Sequence, residues 1–390
     1  MKFSCKTQEL LNALHLVSRA ISGQQALPIL GNILIEAEGK RCKVSATDLE
    51  LSIITSFEAS IENEGTITIP SKAIINFAQY NTDSEVLLET TEGTQLKCTS
   101  KHAKTIIAGE ASSEYPTISP IEKEEAFSID AKPLLDALYM VTFSAAKSTL
   151  RPVLSGVYIR TEKSNLVFVS TDSYRLSEHV IPLEKTPSEI SCIIPVKVLD
   201  ELKSILGAKI GSEKKPSPEK ENKEEKSQDQ KFDSVGITMS AQQVEISVGE
   251  TKLLSRLIDG KFPDYKQIVP KESKTKVLIQ SKELTTAVKR MHYFAKEINN
   301  NLTFSFEKNK VLIFTPQTQM GKDEAMVDVS LDGESNKIAL SSSYLLDYLS
   351  HVDDPEIEIQ VTDSMHPAVF HVPSQKNSLH LIMPLRLQEE

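Results

Sequence analysis

The chain repeats itself three times, and that constrains its fold more than any single motif. The segment FSCKTQELLNALHLVSRAI, from Phe3 to Ile21, returns as FSIDAKPLLDALYMVTFSA from Phe127 and as VLIQSKELTTAVKRMHYFA from Val277. Each copy reads as a short alternating strand followed by a helix with one apolar stripe. The stripe is Leu10, Leu14 and Val17 in the first copy, Leu134, Leu138 and Val141 in the second, and Leu284, Val288 and Met291 in the third. The offset between copies one and two persists downstream, since Pro28 and Asp48 recur 124 positions later as Pro152 and Asp172. A second helix follows in each copy, in ITIPSKAIINFAQY, CIIPVKVLDELKSIL and IALSSSYLLDYLSHV, with Pro70, Pro195 and Ser341 to Ser343 supplying helix-start chemistry. One unit of two helices and many strands, used three times, predicts three similar α+β domains at 1–122, 123–273 and 274–390.

The middle unit is longer than the first. The tails EYPTISPI and KFPDYKQIVP align Tyr115-Pro116 with Phe262-Pro263, an offset of 147, and the charge-rich stretch at 211–231 accounts for the excess. That stretch holds no Leu, Ile, Val or aromatic residue, so it cannot offset the entropy of ordering, and a mobile surface loop is expected.

Composition bounds the function. A formal net charge of −10 argues against coating nucleic acid by bulk attraction. The charge is nevertheless unevenly placed, because the six predicted helices sum to about +4 and leave about −14 elsewhere. No phosphate-cradling glycine motif occurs. His366 and His371 are separated by Pro367, which spoils a helical metal-ligand pair, so no metal or cofactor is expected. Asp48 and Asp172 recur at equivalent strand ends, which suits a turn-stabilising role better than a catalytic pair. Cys5, Cys42, Cys98 and Cys192 form no CxxC pair and sit in strand-like runs as small buried hydrophobes. With no convergent nucleophile, base or metal set, a binding protein is expected in preference to a hydrolase or transferase. A monomeric peptide-binding scaffold remains the other alternative. The N-terminal MKFSCKTQELL has no apolar signal core and no run is long enough to span a bilayer, so a cytoplasmic location is expected.

Four separated motifs, LPILGNILIEA, STDSYRLS, LIDGKFPDYKQIVP and LIMPLRL, make the chain resemble the bacterial DNA polymerase III beta subunit, the sliding-clamp family, along its whole length. The resemblance implies the DNA clamp fold, each domain packing two helices on antiparallel sheets, and a head-to-tail homodimer that forms a six-domain ring around double-stranded DNA without reading sequence. It implies a non-catalytic processivity factor that docks the replicative polymerase, the clamp loader and repair proteins through linear peptides. The pocket for these peptides, between domains two and three, falls by resemblance on Leu154, Thr171, Ser173, Tyr174, Arg175, Leu176, Pro263, Ile268, Met365, Met383, Pro384, Leu385 and Arg386. An apolar floor and adaptable methionines suit varied peptides, and Arg175 is expected to fix polar groups.

Departures from the family pattern are Ser173-Tyr174 where Gly-His is common, Gln267 where a basic residue is frequent, and a Gln388-Glu389-Glu390 tail. DNA contacts are expected at Gln24, Lys72, Lys147, Ser148, Arg151, Lys197, Lys203, Lys289 and Arg290, with Gln24-Gln25 replacing a basic loop residue. The dimer seam is expected at Lys101, Lys104, Ile106, Ile107, Tyr293, Phe294, Asp323 and Glu324, with the lysines facing the acids.

Overall fold

A computed structural model describes residues 1–23, 27–91, 94–118, 121, 125–148, 150–183, 189–213 and 234–387. Gln24, most of the charged insertion and Gln388 to Glu390 lie outside the described residues, so the expectations placed on them are untested by it.

The six expected helices are α1 (Thr7–Ser18), α2 (Ser71–Gln79), α3 (Ala131–Val141), α4 (Val196–Glu213), α5 (Ser281–Ala295) and α6 (Ser342–Leu349). Each begins directly after a strand. Pro70 and Pro195 stand just ahead of α2 and α4, and the Ser341 hydroxyl caps α6 by accepting from the Tyr344 amide at 3.5 Å. The stripes read from periodicity are the buried faces: Leu10, Leu14, Val17, Leu138, Val141, Leu284, Val288 and Met291 are all 0% exposed, and Leu134 is 1% exposed. Each such side chain contributes roughly 1.5–3 kcal/mol by leaving water.

The chain forms two compact units, and neither coincides with a repeat. One comprises Met1–Lys132 with Ser204–Leu257, the other Pro133–Lys203 with Ile258–Glu390. The strand order explains the division. In the first unit, a five-stranded sheet made only from repeat one ends on the strand Lys104–Ala108. Beside it in sequence, an eight-stranded sheet fuses four strands of repeat one to four of repeat two, joined where Leu51–Glu58 pairs antiparallel with Thr251–Arg256. In the second unit, a nine-stranded sheet fuses the rest of repeat two to repeat three where Arg175–Pro182 pairs with Gln375–Ile382. A four-stranded sheet made only from repeat three ends on Glu324–Asp328. Each repeat therefore contributes two half-sheets, and the second repeat shares one with each neighbour.

All four cysteines are buried and free, with Cys42 and Cys98 at 0% exposure. Burial pushes the Cys5, Cys98 and Cys192 thiols up to about 12, which keeps them protonated and inert.

Candidate functional site

Two turns of like sequence organise the two fused sheets. In the second unit, Thr171 Oγ1 donates to the Arg175 carbonyl at 2.6 Å and accepts from the Ser173 amide at 3.1 Å. Asp172 Oδ1 accepts from the Tyr174 and Arg175 amides at 2.9 and 3.0 Å. In the first unit, Thr47 and Asp48 make the same bonds to the backbone of Leu49, Glu50 and Leu51. The repeated aspartates are thus turn-builders, as their recurrence implies. The turn forces its third residue into the left-handed region, with φ of 81° at Ser173 and 77° at Leu49.

Beside the Thr171–Arg175 turn lies a cavity of about 120 Å³ lined by Leu154, Thr171, Ser173, Arg175, Leu176, Pro263, Asp264, Tyr265, Ile268, Leu381 and Met383. That is about four water volumes, or one apolar side chain. Leu154, Leu176 and Leu381 form a buried floor at 3%, 0% and 0% exposure, while Ile268 stands at the rim, 42% exposed. Tyr265 is fixed as a wall: its hydroxyl donates to Glu178, accepts from Arg160 Nη2 at 2.9 Å, and its ring packs edge-on against Phe262. Burial first, then the Glu178 carboxylate, raises the Tyr265 phenol well above its ordinary value, although the Arg160 charge opposes this, so the hydroxyl stays a donor.

Eight residues assigned by resemblance line this cavity, but five do not. Tyr174 turns outward, 61% exposed, and stacks on Tyr344 at 6.5 Å. Met365 sits 83% exposed on a separate turn tied to Asp363. Leu385 is held by its amide to the Ala339 carbonyl at 2.7 Å, which carries Pro384 and Arg386 along the four-stranded sheet. Arg175 needs a correction of role. It is 3% exposed, donates to Asp172 at 3.0 Å and Asp347 at 2.7 Å, and has the Tyr344 ring 4.7 Å away. A guanidinium so engaged braces the turn. Asp264, Tyr265 and Leu381 line the cavity as well without being marked by the resemblance, although all three stand in LIDGKFPDYKQIVP and LIMPLRL. Inward alternation along LHLIM would have selected Leu381.

The cations expected at DNA divide into two groups. Lys72 on α2, Lys289 on α5, and Lys147 with Ser148 and Arg151 in one loop are exposed, beside a 91% exposed Leu150. Lys197 on α4 is exposed as well. Lys203 instead binds Asp200 at 2.7 Å and Thr142 at 2.6 Å. Arg290 donates to Asp323 at 2.8 and 3.1 Å and to the Glu324 carbonyl at 2.9 Å. Both charges are locally compensated, so these two are poorer phosphate contacts than residue type alone indicated.

The seam residues all lie on or beside the two single-repeat sheet edges. On Lys104–Ala108, Ile106 points outward at 55% exposure and Ile107 points into the core at 7%, so Ile106 is the one of the two that presents apolar surface at this edge. Lys101 and Lys104 are exposed. On the other edge Met326 is a 63% exposed apolar side chain. Tyr293 is 60% exposed and meets Phe294 edge-on at 5.5 Å. Asp323 is paired with Arg290 within the chain, and Glu324 beside it is exposed.

Among the described residues no three His, Cys, Asp or Glu side chains gather as a metal ion would require, and no helix is long and apolar enough to cross a membrane.

Three family models match the chain in order: the DNA polymerase III beta subunit N-terminal domain at residues 1–119, its central domain at 128–212 and its C-terminal domain at 266–386. A beta sliding clamp of Synechocystis is 26% identical over 409 residues, covering 99% of this chain and 100% of that protein. One from Staphylococcus aureus is 26% identical over 396 residues, covering 99% of each. The crystal structure of the DNA polymerase sliding clamp from Bacillus subtilis is 26% identical, covers 100% of both chains and gives a TM-score of 0.88.

Proposed function

The chain belongs to the DNA polymerase III beta subunit family and is a DNA sliding clamp, not an enzyme; from that premise we propose that two copies close head to tail into a six-domain ring around duplex DNA. The domains of each copy are the three repeats at 1–122, 123–273 and 274–390. The observation that carries this reading is the unfinished pairing. Leu51–Glu58 meets Thr251–Arg256, and Arg175–Pro182 meets Gln375–Ile382, as equivalent strands of successive repeats. The third equivalent pair has its two halves, Glu324–Asp328 and Lys104–Ala108, at the ends of separate sheets. An open edge with an exposed apolar side chain is a template for another chain, and a two-fold axis would satisfy both edges of both copies at once.

Equivalence also sets a register. Glu324 takes the place of Glu178 and Lys104 that of Leu379, which are cross-strand neighbours; Ile54 and Lys252 are the same pair in the first unit. Glu324 of one copy thus faces the Lys104 position of the other, with Ile106 and Tyr293 contributing apolar surface to the seam.

A closed ring holds DNA by topology, so a chain of net charge −10 needs only sparse positive contacts such as Lys72, Lys147, Arg151, Lys197 and Lys289. The cavity at Leu154, Leu176, Ile268, Leu381 and Met383 takes one apolar anchor of a linear peptide from polymerase, loader or repair proteins. The test is sedimentation equilibrium. A mass near twice 43.3 kDa at micromolar concentration is expected, and a monomer at every concentration would refute the ring.

A further inference from the structure

We infer that the first unit carries a second peptide-binding groove, the repeat-related copy of the cavity just described, which takes an extended peptide segment bearing an apolar side chain and a carboxylate. This occupant class rests on the peptide reading of the first cavity; the groove itself rests on separate observations.

The groove encloses about 490 Å³ beside the Thr47–Leu51 turn. Most of its lining positions have counterparts in the other cavity. Thr47, Leu49 and Ser52 stand where Thr171, Ser173 and Leu176 stand in the second unit, at the offset of 124. Pro116 and Ile121 stand where Pro263 and Ile268 do, at the offset of 147. Leu254 pairs across the strands with Ser52 as Leu381 pairs with Leu176. The same duplication that built one cavity therefore built the other, and the first-unit version is about four times larger.

Among the residues that differ between the two, Leu49 and Arg256 define the ligand. Leu49 occupies the strained left-handed position at φ 77° with its side chain 48% exposed at the mouth. A bulky side chain costs about 1–2 kcal/mol there, and an exposed leucine gains nothing in return unless something covers it. Arg256 replaces Met383 at the rim; it is exposed and has no ion pair among the described residues. The buried guanidinium of the second unit, Arg175, is here Leu51, at 0% exposure. The first-unit groove thus combines apolar lining from Leu49, Pro116, Ile118, Ile121 and Leu254 with a cation at the rim, where an incoming carboxylate can pair with it. Glu50 also lines the groove and repels acid, so Arg256 is the lining cation that a carboxylate would pair with.

The test uses the full chain and a fluorescein-labelled octapeptide of Ser and Leu residues that ends Leu-Leu-Asp, beside a twin with Asn for Asp and an amidated C-terminus. Ile268→Asp puts a charge at the rim of the second-unit cavity; Leu49→Gly and Arg256→Gln alter the first-unit groove at exposed positions where folding is not at risk. Two sites per wild-type chain are expected by anisotropy, one of which survives in Ile268→Asp. The surviving site should weaken about tenfold with the neutral twin or with Arg256→Gln, and the two losses should not add. Hydrogen exchange should slow at 116–118 and 254–256. If wild type binds one peptide and Ile268→Asp binds none, the second groove is refuted while the first cavity stands. If wild type binds a single peptide that Ile268→Asp leaves in place and Arg256→Gln weakens, the second groove stands and the reading of the first fails. No binding to either chain at millimolar peptide overturns the inference.

Discussion

Reversing one charge tests the proposed seam at its most specific point. In the register carried over from the two internal sheet junctions, Lys104 of one copy faces Glu324 of the other. Both are exposed edge residues. An attractive pair of this kind is worth about 0.5 kcal/mol, and two like charges about 4 Å apart near water repel by about 1 kcal/mol. Lys104→Glu therefore shifts each seam by about 1.5 kcal/mol. A two-fold dimer contains the pair twice, so the total is about 3 kcal/mol, or roughly a hundredfold in the dimer dissociation constant. Glu324→Lys alone should do the same. The Lys104→Glu, Glu324→Lys double variant should return to within about threefold of wild type. Sedimentation velocity across a dilution series reads all four chains, and measurements near 0.05 M salt maximise the contrast because screening weakens exposed pairs. If either single variant dimerises as tightly as wild type, or if the double variant stays monomeric, the register is wrong.

Two further outcomes follow from the second unit. Arg175→Met strands Asp172 beside the turn and removes the partner of Asp347; calorimetry should find about 3 kcal/mol lost, and peptide binding should fall with it. The second concerns pH: burial, then the nearby Arg175 charge, holds the His380 pKa well below its ordinary 6.5, and His179 and His351 are depressed in the same direction. The unfolded chain therefore gains protons that the folded chain refuses, so stability should fall as pH drops through 6.5 and His380→Gln should flatten that slope by up to about 1.4 kcal/mol per pH unit. A melting temperature independent of pH between about 7.5 and 5 would contradict the neutral burial of these rings.

The threefold plan and the six helices were legible because periodicity reports which face of an element meets the core, and Leu14 and Val288 are where that rule puts them. The recurring aspartates were readable for the same reason, since a side chain that bonds backbone amides two and three residues on acts locally. The fusion of half-sheets was not legible, because nothing in Leu51–Glu58 names Thr251–Arg256 as its partner across about two hundred residues. Nor was the state of each charge. Arg175, Lys203 and Arg290 look like free cations in the sequence, and only the fold brings Asp347, Thr142 and Asp323 to them. Ile106 and Ile107 are indistinguishable in composition, and their opposite fates depend on which pleat faces the core.

The most direct test of the central claim is the lifetime of the loaded protein on DNA of different topology. After a clamp loader has placed it on a nicked circle, the labelled chain should persist through a high-salt wash and leave within seconds to minutes once the circle is cut, because a linked ring can then slide off an end. Equal lifetimes on the circle and on the cut molecule would contradict the account.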